Sequence, residues 1–204
     1  MNIQIRLENP KDFRETEELT RDAFWDVYKP GCDEHLVLHN LRKSPTFVRG
    51  LDFVAVLNGK IIGNIVYSKA KVIGEDKSEH EVLCLGPFCV APEMQKKGIG
   101  SKLIRQSLSK AKTLGFRGVI LFGSPEYYSR FGFKNAESYH ITTPDGKNFD
   151  AFMALELVEG SLKGIEGRFF ADSVFEVEAK DLEEFEKSFP FREKHVTDTR
   201  IHLD

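Results

Sequence analysis

The chain has 204 residues, of which 41% are hydrophobic and 30% charged, a balance typical of one globular domain with or without a short appendage. Its net charge of -3, with lysines and acids interspersed, argues against a nucleic-acid-binding protein, which usually carries a basic face. No apolar run reaches the roughly 20 residues that span a membrane, and no signal-peptide core precedes the first strand pattern. We therefore expect a cytoplasmic protein with no nucleic-acid or membrane partner.

The three cysteines also favour a cytoplasmic protein. Cys32, Cys84 and Cys89 are odd in number and unevenly spaced, and the last two lie within an apolar run. Such residues suit core packing in a reducing compartment better than disulfides. No pair has the spacing of a metal site, so the sequence predicts no metal.

The first part of the chain predicts one strand and two helices. Apolar and polar residues alternate over 3–7, which is the period of a strand. After a break at Asn9-Pro10, apolar residues recur at helical spacing over 13–27 and again over 34–43, where Pro45 interrupts the pattern.

Three antiparallel strands are predicted next. Residues 52–57 and 60–72 have strand patterns and are joined by Asn58-Gly59, the strongest short signal for a hairpin. The third strand spans 81–90 and contains Gly86-Pro87. Because proline cannot donate to a strand ladder, its presence in a central strand requires a bulge or a splay.

The rest of the chain is predicted to alternate helices and strands. The expected elements are a helix from Ile99 to Leu114, a buried strand over 119–122, a short helix over 126–131 and a strand over 150–158. The first of these helices crosses over between strands 81–90 and 119–122, which should make them parallel neighbours. Beyond Gly160, residues 173–178 are strand-like and 180–188 helix-like.

A glycine loop, residues 95–101, lies at the junction between strand 81–90 and the following helix. Gly98 and Gly100 allow backbone N–H groups to close around a bulky oxyanion. The new helix adds unpaired N–H donors and the positive end of its dipole. This combination predicts a phosphate-binding site.

The spacing of the glycine loop excludes two common phosphate-binding motifs. A dinucleotide fingerprint needs a third glycine, G-x-G-x-x-G, but Leu103 occupies that position. A P-loop needs Lys and then Ser or Thr after its last glycine, whereas here Ser101 precedes Lys102.

The pattern that fits is Gln-x-x-Gly-x-Gly, which resembles the pyrophosphate loop of the GNAT superfamily of N-acetyltransferases. The resemblance implies that acetyl-CoA is the acetyl donor and that the pantetheine arm lies along the fourth strand, where the Gly86-Pro87 interruption could free an oxyanion site. The residues implied in cofactor binding are Phe88, Cys89, Val90, Gln95, Lys96, Lys97, Gly98, Ile99, Gly100 and Ser101.

A second motif, Tyr-x-x-x-Gly-Phe at residues 128–133, resembles the family signature after the fifth strand. In that alignment Tyr128 is the acid that protonates the departing CoA thiolate, which a phenol with a pKa near 10 can do. Tyr127 and Phe133 are interpreted as aromatic core. Most members place an Asn and a small residue on a longer helix before the tyrosine. Here Gly123-Ser124-Pro125 replaces them, as in a subgroup of small predicted bacterial acetyltransferases.

The general base that deprotonates the acceptor amine is not identified by the sequence. The candidates are Glu81 and His80, at the start of the fourth strand, and Glu34 and His35, near the expected acceptor loop. Cys89 is also conceivable as an acyl-carrying nucleophile, although a cysteine in an apolar strand is usually a packing residue.

The resemblance implies a mixed α/β fold of GNAT type, with a mostly antiparallel central sheet, splayed fourth and fifth strands and helices on both faces. We expect the acetyltransferase domain to span residues 1–158 and a C-terminal extension, 159–204, to pack on it or to mediate a homodimer. The expected reaction is direct acetyl transfer from acetyl-CoA to a primary amine of a small molecule or peptide. The alternatives are a non-catalytic acyl-CoA sensor and an enzyme with a longer acyl donor.

Overall fold

The computed structural model describes residues 2–196, which fold around one mixed sheet. Its strands are β1 Gln4–Leu7, β2 Phe53–Leu57, β3 Lys60–Ile73, β4 Glu79–Val90, β5 Gly118–Phe122, β6 Lys134–Asn135, β7 Ile141–Thr142, β8 Phe152–Glu156 and β9 Gly167–Phe170. The α-helices are α1 Phe13–Phe24, α2 Glu34–Leu41, α3 Ile99–Thr113, α4 Pro125–Tyr128 and α5 Ala179–Glu186. No helix within residues 2–196 is both long and apolar enough to cross a membrane.

The sheet is antiparallel except where β4 meets β5 and β7 meets β9. Strand order is β1-β2-β3-β4-β5-β8-β6, and β9 pairs with the end of β3. The parallel pairing of β4 with β5 is confined to Leu83 with Val119 and Cys84 with Ile120. Beyond these pairs β4 and β5 no longer pair with each other, although β4 continues alongside β3 and β5 alongside β8. The expected splay between the fourth and fifth strands is therefore confirmed.

The predicted hairpin and bulge are both present. Asn58 and Gly59 adopt φ of 51° and 81°, as a two-residue hairpin turn with two left-handed residues requires. In β4, Leu85 pairs with Tyr67 and Phe88 with Ile65, so Gly86 and Pro87 together oppose one residue of β3. The extra residue turns the backbone of β4 just before its splayed end.

Helices cover both faces of the sheet, as expected. On one face α3 packs through Leu103 against Gly63, where an added Cβ would lie 2.9 Å from the leucine Cδ1. On the other face α1 approaches β4, since Thr20 Oγ1 lies 3.6 Å from Cys89 Sγ. Helix α2 covers Val66 on that face with Leu38 and Leu41, all three of them buried.

A buried ionic cluster ties β1 to both N-terminal helices. Arg42 donates to Glu8 at 2.7 Å and to Glu17 at 2.8 Å, and its guanidinium stacks on the Phe13 ring. Burial and the neighbouring Glu8 raise the pKa of Asp52 to about 9. A charge buried in this way is costly unless it is paired, so the cluster fixes how α1 and α2 pack together.

Two of the predicted elements differ from the structure. Helix α1 ends at Phe24, three residues before its predicted end, because Trp25 leaves the helical conformation with ψ of 122°. The strand predicted over 173–178 is wrong: Ser173–Phe175 forms a 3-10 turn instead. The C-terminal strand is β9, whose pairing with β3 brings this part of the chain into the main sheet.

Candidate functional site

The glycine loop begins a helix whose terminus no side chain within residues 2–196 caps. Gly98, at the N-cap of α3, has φ of 79°, and the open space beside it contains no atom within 4 Å of an added Cβ. Lys96 also has positive φ, at 59°. Backbone curvature of this kind and an uncapped helix start together present N–H groups to an anion.

Two side chains of the glycine loop stabilise its conformation through hydrogen bonds to backbone carbonyl groups. Gln95 donates to the carbonyl of Val90 at 3.3 Å, which ties the loop to the end of β4. The Lys97 amine donates to the carbonyl of Glu93 at 2.9 Å. Ile99 is buried in the core, whereas residues 95–98 are exposed. An anion bound here would therefore contact chiefly the backbone.

The splayed end of β4 lies against the start of α3. An added Cβ at Gly100 would come within 2.9 Å of Phe88 Cζ and 3.6 Å of Val90 Cγ2, so these side chains share the face of the sheet that α3 covers. Successive residues of a strand point to opposite faces, and Cys89 accordingly points toward Thr20 of α1. Burial raises the pKa of the Cys89 thiol to about 11, which disfavours the thiolate needed for an acyl-enzyme.

Tyr128 is the last residue of α4, the short helix that follows β5. Its ring packs edge-on against Tyr127 at 5.1 Å and Phe133 at 5.6 Å between centroids, and it leaves no room for a side chain at Gly123. Burial, followed by the nearby phenols of Tyr127, Tyr28 and Tyr67, raises the pKa of Tyr128 well above its usual value. The phenol therefore remains protonated at neutral pH.

Tyr127 does more than fill the core. Its ring packs 6.1 Å from that of Phe88, and an added Cβ at Gly100 would lie 2.5 Å from its hydroxyl oxygen. Burial raises the pKa of the Tyr127 phenol, and the nearby Ser101 side chain lowers it. The sequence interpretation of Tyr127 as aromatic core is therefore incomplete, whereas Phe133 is buried as predicted. The pair Tyr127-Tyr128 was the sequence signal for this second role. Successive residues of a helix point in different directions, so the two rings cannot have the same surroundings.

The four candidate bases occupy very different environments. Burial, with a smaller contribution from the adjacent charge of Asp33, raises the pKa of Glu34 to about 7. His35 is fully buried and its pKa is lowered to about 4 by burial, while its Nε2 lies 2.7 Å from a Glu186 carboxylate oxygen. The structure therefore separates these two neighbours: Glu34 is half-buried and His35 is enclosed.

The other two candidates lie far from the splayed end of β4. The exposed side chain of Glu81 pairs with Lys69 at 3.0 Å, and His80 lies 3.1 Å from the Ser78 hydroxyl. At about 3.3 Å per residue, the seven residues from Glu81 to Phe88 correspond to roughly 20 Å along β4. These two residues were candidates only because they lie at the start of β4 in the sequence.

The C-terminal segment packs against the two N-terminal helices, α1 and α2. Glu186 accepts three hydrogen bonds from Arg21, at 3.0, 3.2 and 2.8 Å, and Trp25 Nε1 donates to the carbonyl of Glu193 at 3.0 Å. Phe189 packs between Arg14 and His35. Among residues 2–196, no group of three or more His, Cys, Asp or Glu side chains is arranged to hold a metal ion.

Comparison with known proteins gives a consistent result. The sequence model of the acetyltransferase (GNAT) family matches residues 13–133. The chain is 28% identical over 164 residues to YhbS of Escherichia coli K12, named an uncharacterized N-acetyltransferase, and the match covers 80% of this chain and 92% of YhbS.

Two solved structures share the fold over most of both chains. YhbS from Escherichia coli in complex with CoA gives a TM-score of 0.77 at 24% identity, covering 87% of this chain and 93% of YhbS. A GNAT family acetyltransferase from Brucella melitensis in complex with acetyl-CoA gives 0.69 at 30% identity, covering 85% and 98%. The family match and the Brucella relative establish that this chain belongs to the GNAT family of acetyltransferases.

Proposed function

We propose that the protein transfers the acetyl group of acetyl-CoA directly to a primary amine of a small molecule or peptide. The observation that carries this proposal is the uncapped start of α3 beside the splayed end of β4, whose β5-facing side pairs with no strand within residues 2–196. The crystallised relatives with CoA and acetyl-CoA support the same cofactor for this chain.

In this proposal the pyrophosphate of acetyl-CoA binds to backbone N–H groups of the glycine loop. The positive end of α3 stabilises its charge, and the Ser101 hydroxyl adds a donor. Lys96 contributes its charge from the exposed side, whereas Gln95 and Lys97 brace the loop through the carbonyl groups that they bind. The Ile99 side chain anchors the loop in the core.

The pantetheine arm is proposed to lie along Phe88, Cys89 and Val90. Beyond Cys84, no strand within residues 2–196 pairs with the β5-facing side of β4, so its outward backbone groups are available to amide groups of the cofactor. A backbone N–H at the bulge would stabilise the oxyanion of the tetrahedral intermediate. Because the Cys89 thiol points away toward Thr20, direct transfer is favoured over an acyl-cysteine.

Tyr128 is proposed to protonate the departing CoA thiolate. A phenol that stays protonated at neutral pH is a suitable donor at the moment when the C–S bond breaks. The reaction needs no metal ion, and we propose a cytoplasmic enzyme because the three cysteines are free and buried. The division into a domain over 1–158 and an extension over 159–204, and a homodimer formed through the extension, are also proposals.

The test is calorimetric titration with acetyl-CoA and with CoA of the wild type, Gly98→Trp and Gly115→Trp. Both glycines have positive φ, 79° and 83°, and open space where a side chain would begin, so backbone strain is matched. Binding should be lost only in Gly98→Trp, whose indole would block the glycine loop. No binding by the folded wild type would exclude the acetyltransferase proposal. Binding of acetyl-CoA without turnover of any amine would favour the non-catalytic sensor. Tighter binding of propionyl-CoA or succinyl-CoA than of acetyl-CoA would favour an enzyme with a longer acyl donor.

A further inference from the structure

We propose that Glu34 is the general base that deprotonates the acceptor ammonium group, an assignment that rests on the proposed acetyl transfer. Glu34 is the first residue of α2 and follows the loop between the two N-terminal helices. Its carboxylate is placed on the side of the sheet opposite α3. An amine held there would approach the acetyl group through the splay between β4 and β5.

The position of Glu34 follows from the face that α2 buries. Residues 34, 38 and 41 lie on one side of a helix, and Leu38 and Leu41 pack on Val66. Val66 is the residue of β3 that opposes the bulge of β4. Glu34 therefore lies one turn before Leu38 on the same helix face, near enough to the end of β4 to act electrostatically on Cys89.

Electrostatic contacts connect Glu34 to both sides of the proposed reaction centre. Its charge acts on the Cys89 thiol in β4 and on the Tyr28 phenol in the acceptor loop. The Tyr28 phenol acts in turn on Tyr128, the proposed acid. A base and an acid on opposite sides of a shared space are the arrangement that amine acylation requires, because the two proton transfers occur at different atoms.

The charged neighbours of Glu34 leave it available. One carboxylate oxygen accepts a hydrogen bond from the backbone N–H of Asp33 at 3.1 Å. The Asp33 carboxylate pairs with Lys29, and no lysine, arginine or histidine within residues 2–196 pairs with Glu34. Lys29 nevertheless acts on Glu34 electrostatically and lowers its pKa, and the Cys32, Cys89 and Tyr28 side chains also interact with it. A half-buried carboxyl group with a pKa of about 7 is well matched to proton abstraction near neutral pH.

The proposed step balances as follows. The acceptor R–NH3⁺ gives one proton to Glu34, and the free amine nitrogen forms a bond to the acetyl carbonyl carbon. The C–S bond then breaks and the thiolate takes the Tyr128 proton, which leaves CoA–SH and a tyrosinate. The nitrogen loses its second proton to the tyrosinate, so the products are the amide, CoA–SH and the proton on Glu34, which passes to solvent.

The experiment compares Glu34→Gln with Glu137→Gln, an exposed control, using glycinamide, ethanolamine and spermidine as probe amines. At pH 7 the Glu34→Gln enzyme should lose about 100-fold in kcat/KM, within the usual range for a general base. Its activity should recover as the pH approaches the pKa of each amine, since a free amine needs no base. Glu34→Asp should restore part of the activity, and acetyl-CoA affinity should stay within about twofold.

Each alternative outcome overturns a different statement. Undiminished turnover by Glu34→Gln, or a loss of the same size at every pH, would overturn the role of Glu34 and leave acetyl transfer intact. A large loss in Glu81→Gln alone would assign the base to β4. If the wild type binds acetyl-CoA but acetylates none of the probe amines, the proposed function and the role of Glu34 fail together.

Discussion

The hydroxyl oxygen of Tyr127 lies where a side chain at Gly100 would begin, 2.5 Å from the position of an added Cβ. Phe88 closes the same space from β4, at 2.9 Å. Gly100 is therefore glycine because three elements meet there, the start of α3, the end of β4 and the turn that carries Tyr127 and Tyr128. The proposed phosphate site and the proposed acid are thus coupled through one contact.

The Gly100→Ala variant should bind acetyl-CoA at least about tenfold more weakly, because the new methyl group displaces Tyr127 and Phe88 from the glycine loop. Calorimetric titration measures the effect. The double variant Gly100→Ala/Tyr127→Phe should recover part of the affinity, since removing the hydroxyl relieves the closest contact. Equal affinity in the single variant and the wild type would show that the loop tolerates the methyl group.

Tyr128→Phe should lower kcat by about 100-fold while the dissociation constant of acetyl-CoA changes little, because only the proton donor is removed. Steady-state kinetics and calorimetry give the two quantities. Tyr127→Phe is the matched control at the adjacent position and should retain most of kcat. A loss of acetyl-CoA binding in Tyr128→Phe would instead indicate a packing role for this ring.

The buried charge cluster predicts a large difference between two ion pairs. In the Arg42–Glu8 pair the side chains are 4% and 0% exposed, whereas in Lys71–Glu79 they are 56% and 53% exposed. Arg42→Ala leaves the buried Glu8 carboxylate without its cation and should reduce the free energy of unfolding by about 3–5 kcal/mol. Lys71→Ala should cost less than about 1 kcal/mol. Urea denaturation measures both, and similar values for the two variants would contradict the burial of Arg42.

Glu34 should make folding stability depend on pH in a specific window. Its pKa is raised from 4.5 to about 7 in the folded protein, so the folded state binds more protons than the unfolded state between these values. Stability contributed by the protonated form is complete below about 4.5 and is lost as the pH rises through about 7.

The difference in Tm between Glu34→Gln and the wild type isolates this contribution from other titrating groups. It should grow in favour of the variant from pH 5 to pH 8, because Gln cannot ionise. Thermal unfolding at a series of pH values measures it. A difference that does not vary with pH would place the pKa of Glu34 near its ordinary value.

The Glu186 carboxylate is a main contact between the C-terminal segment and α1. Glu186→Ala removes the hydrogen bonds to Arg21 and should lower the free energy of unfolding by about 2 kcal/mol, the value of a hydrogen-bonded charge. Limited proteolysis should then cut the C-terminal segment faster than in the wild type. Glu184→Ala, on the exposed side of α5, is the control. Equal cleavage of both variants would show that the aromatic contacts of Phe189 suffice.

The parts of the fold that the sequence predicted correctly depend on the backbone preferences of a few neighbouring residues. The hairpin at Asn58-Gly59 follows from two residues that accept positive φ, and the bulge from a proline that cannot donate within a ladder. Strand β9 was missed because it is only four residues long and begins with a glycine, so no period-two pattern distinguishes it. Its pairing with β3 depends on a strand about 100 residues earlier in the chain.

The family, the glycine loop and the tyrosine motif could be recognised from the sequence, because each motif is a contiguous run whose backbone requirements are met by its own residues. The different environments of Glu34, His35, His80 and Glu81 became visible only in the fold, since burial and charge depend on distant segments. Glu186 encloses His35 from more than 150 positions away, while α2 brings Glu34 toward β4. The pKa of a side chain depends on its burial and on nearby charges, and both are set only when the chain folds.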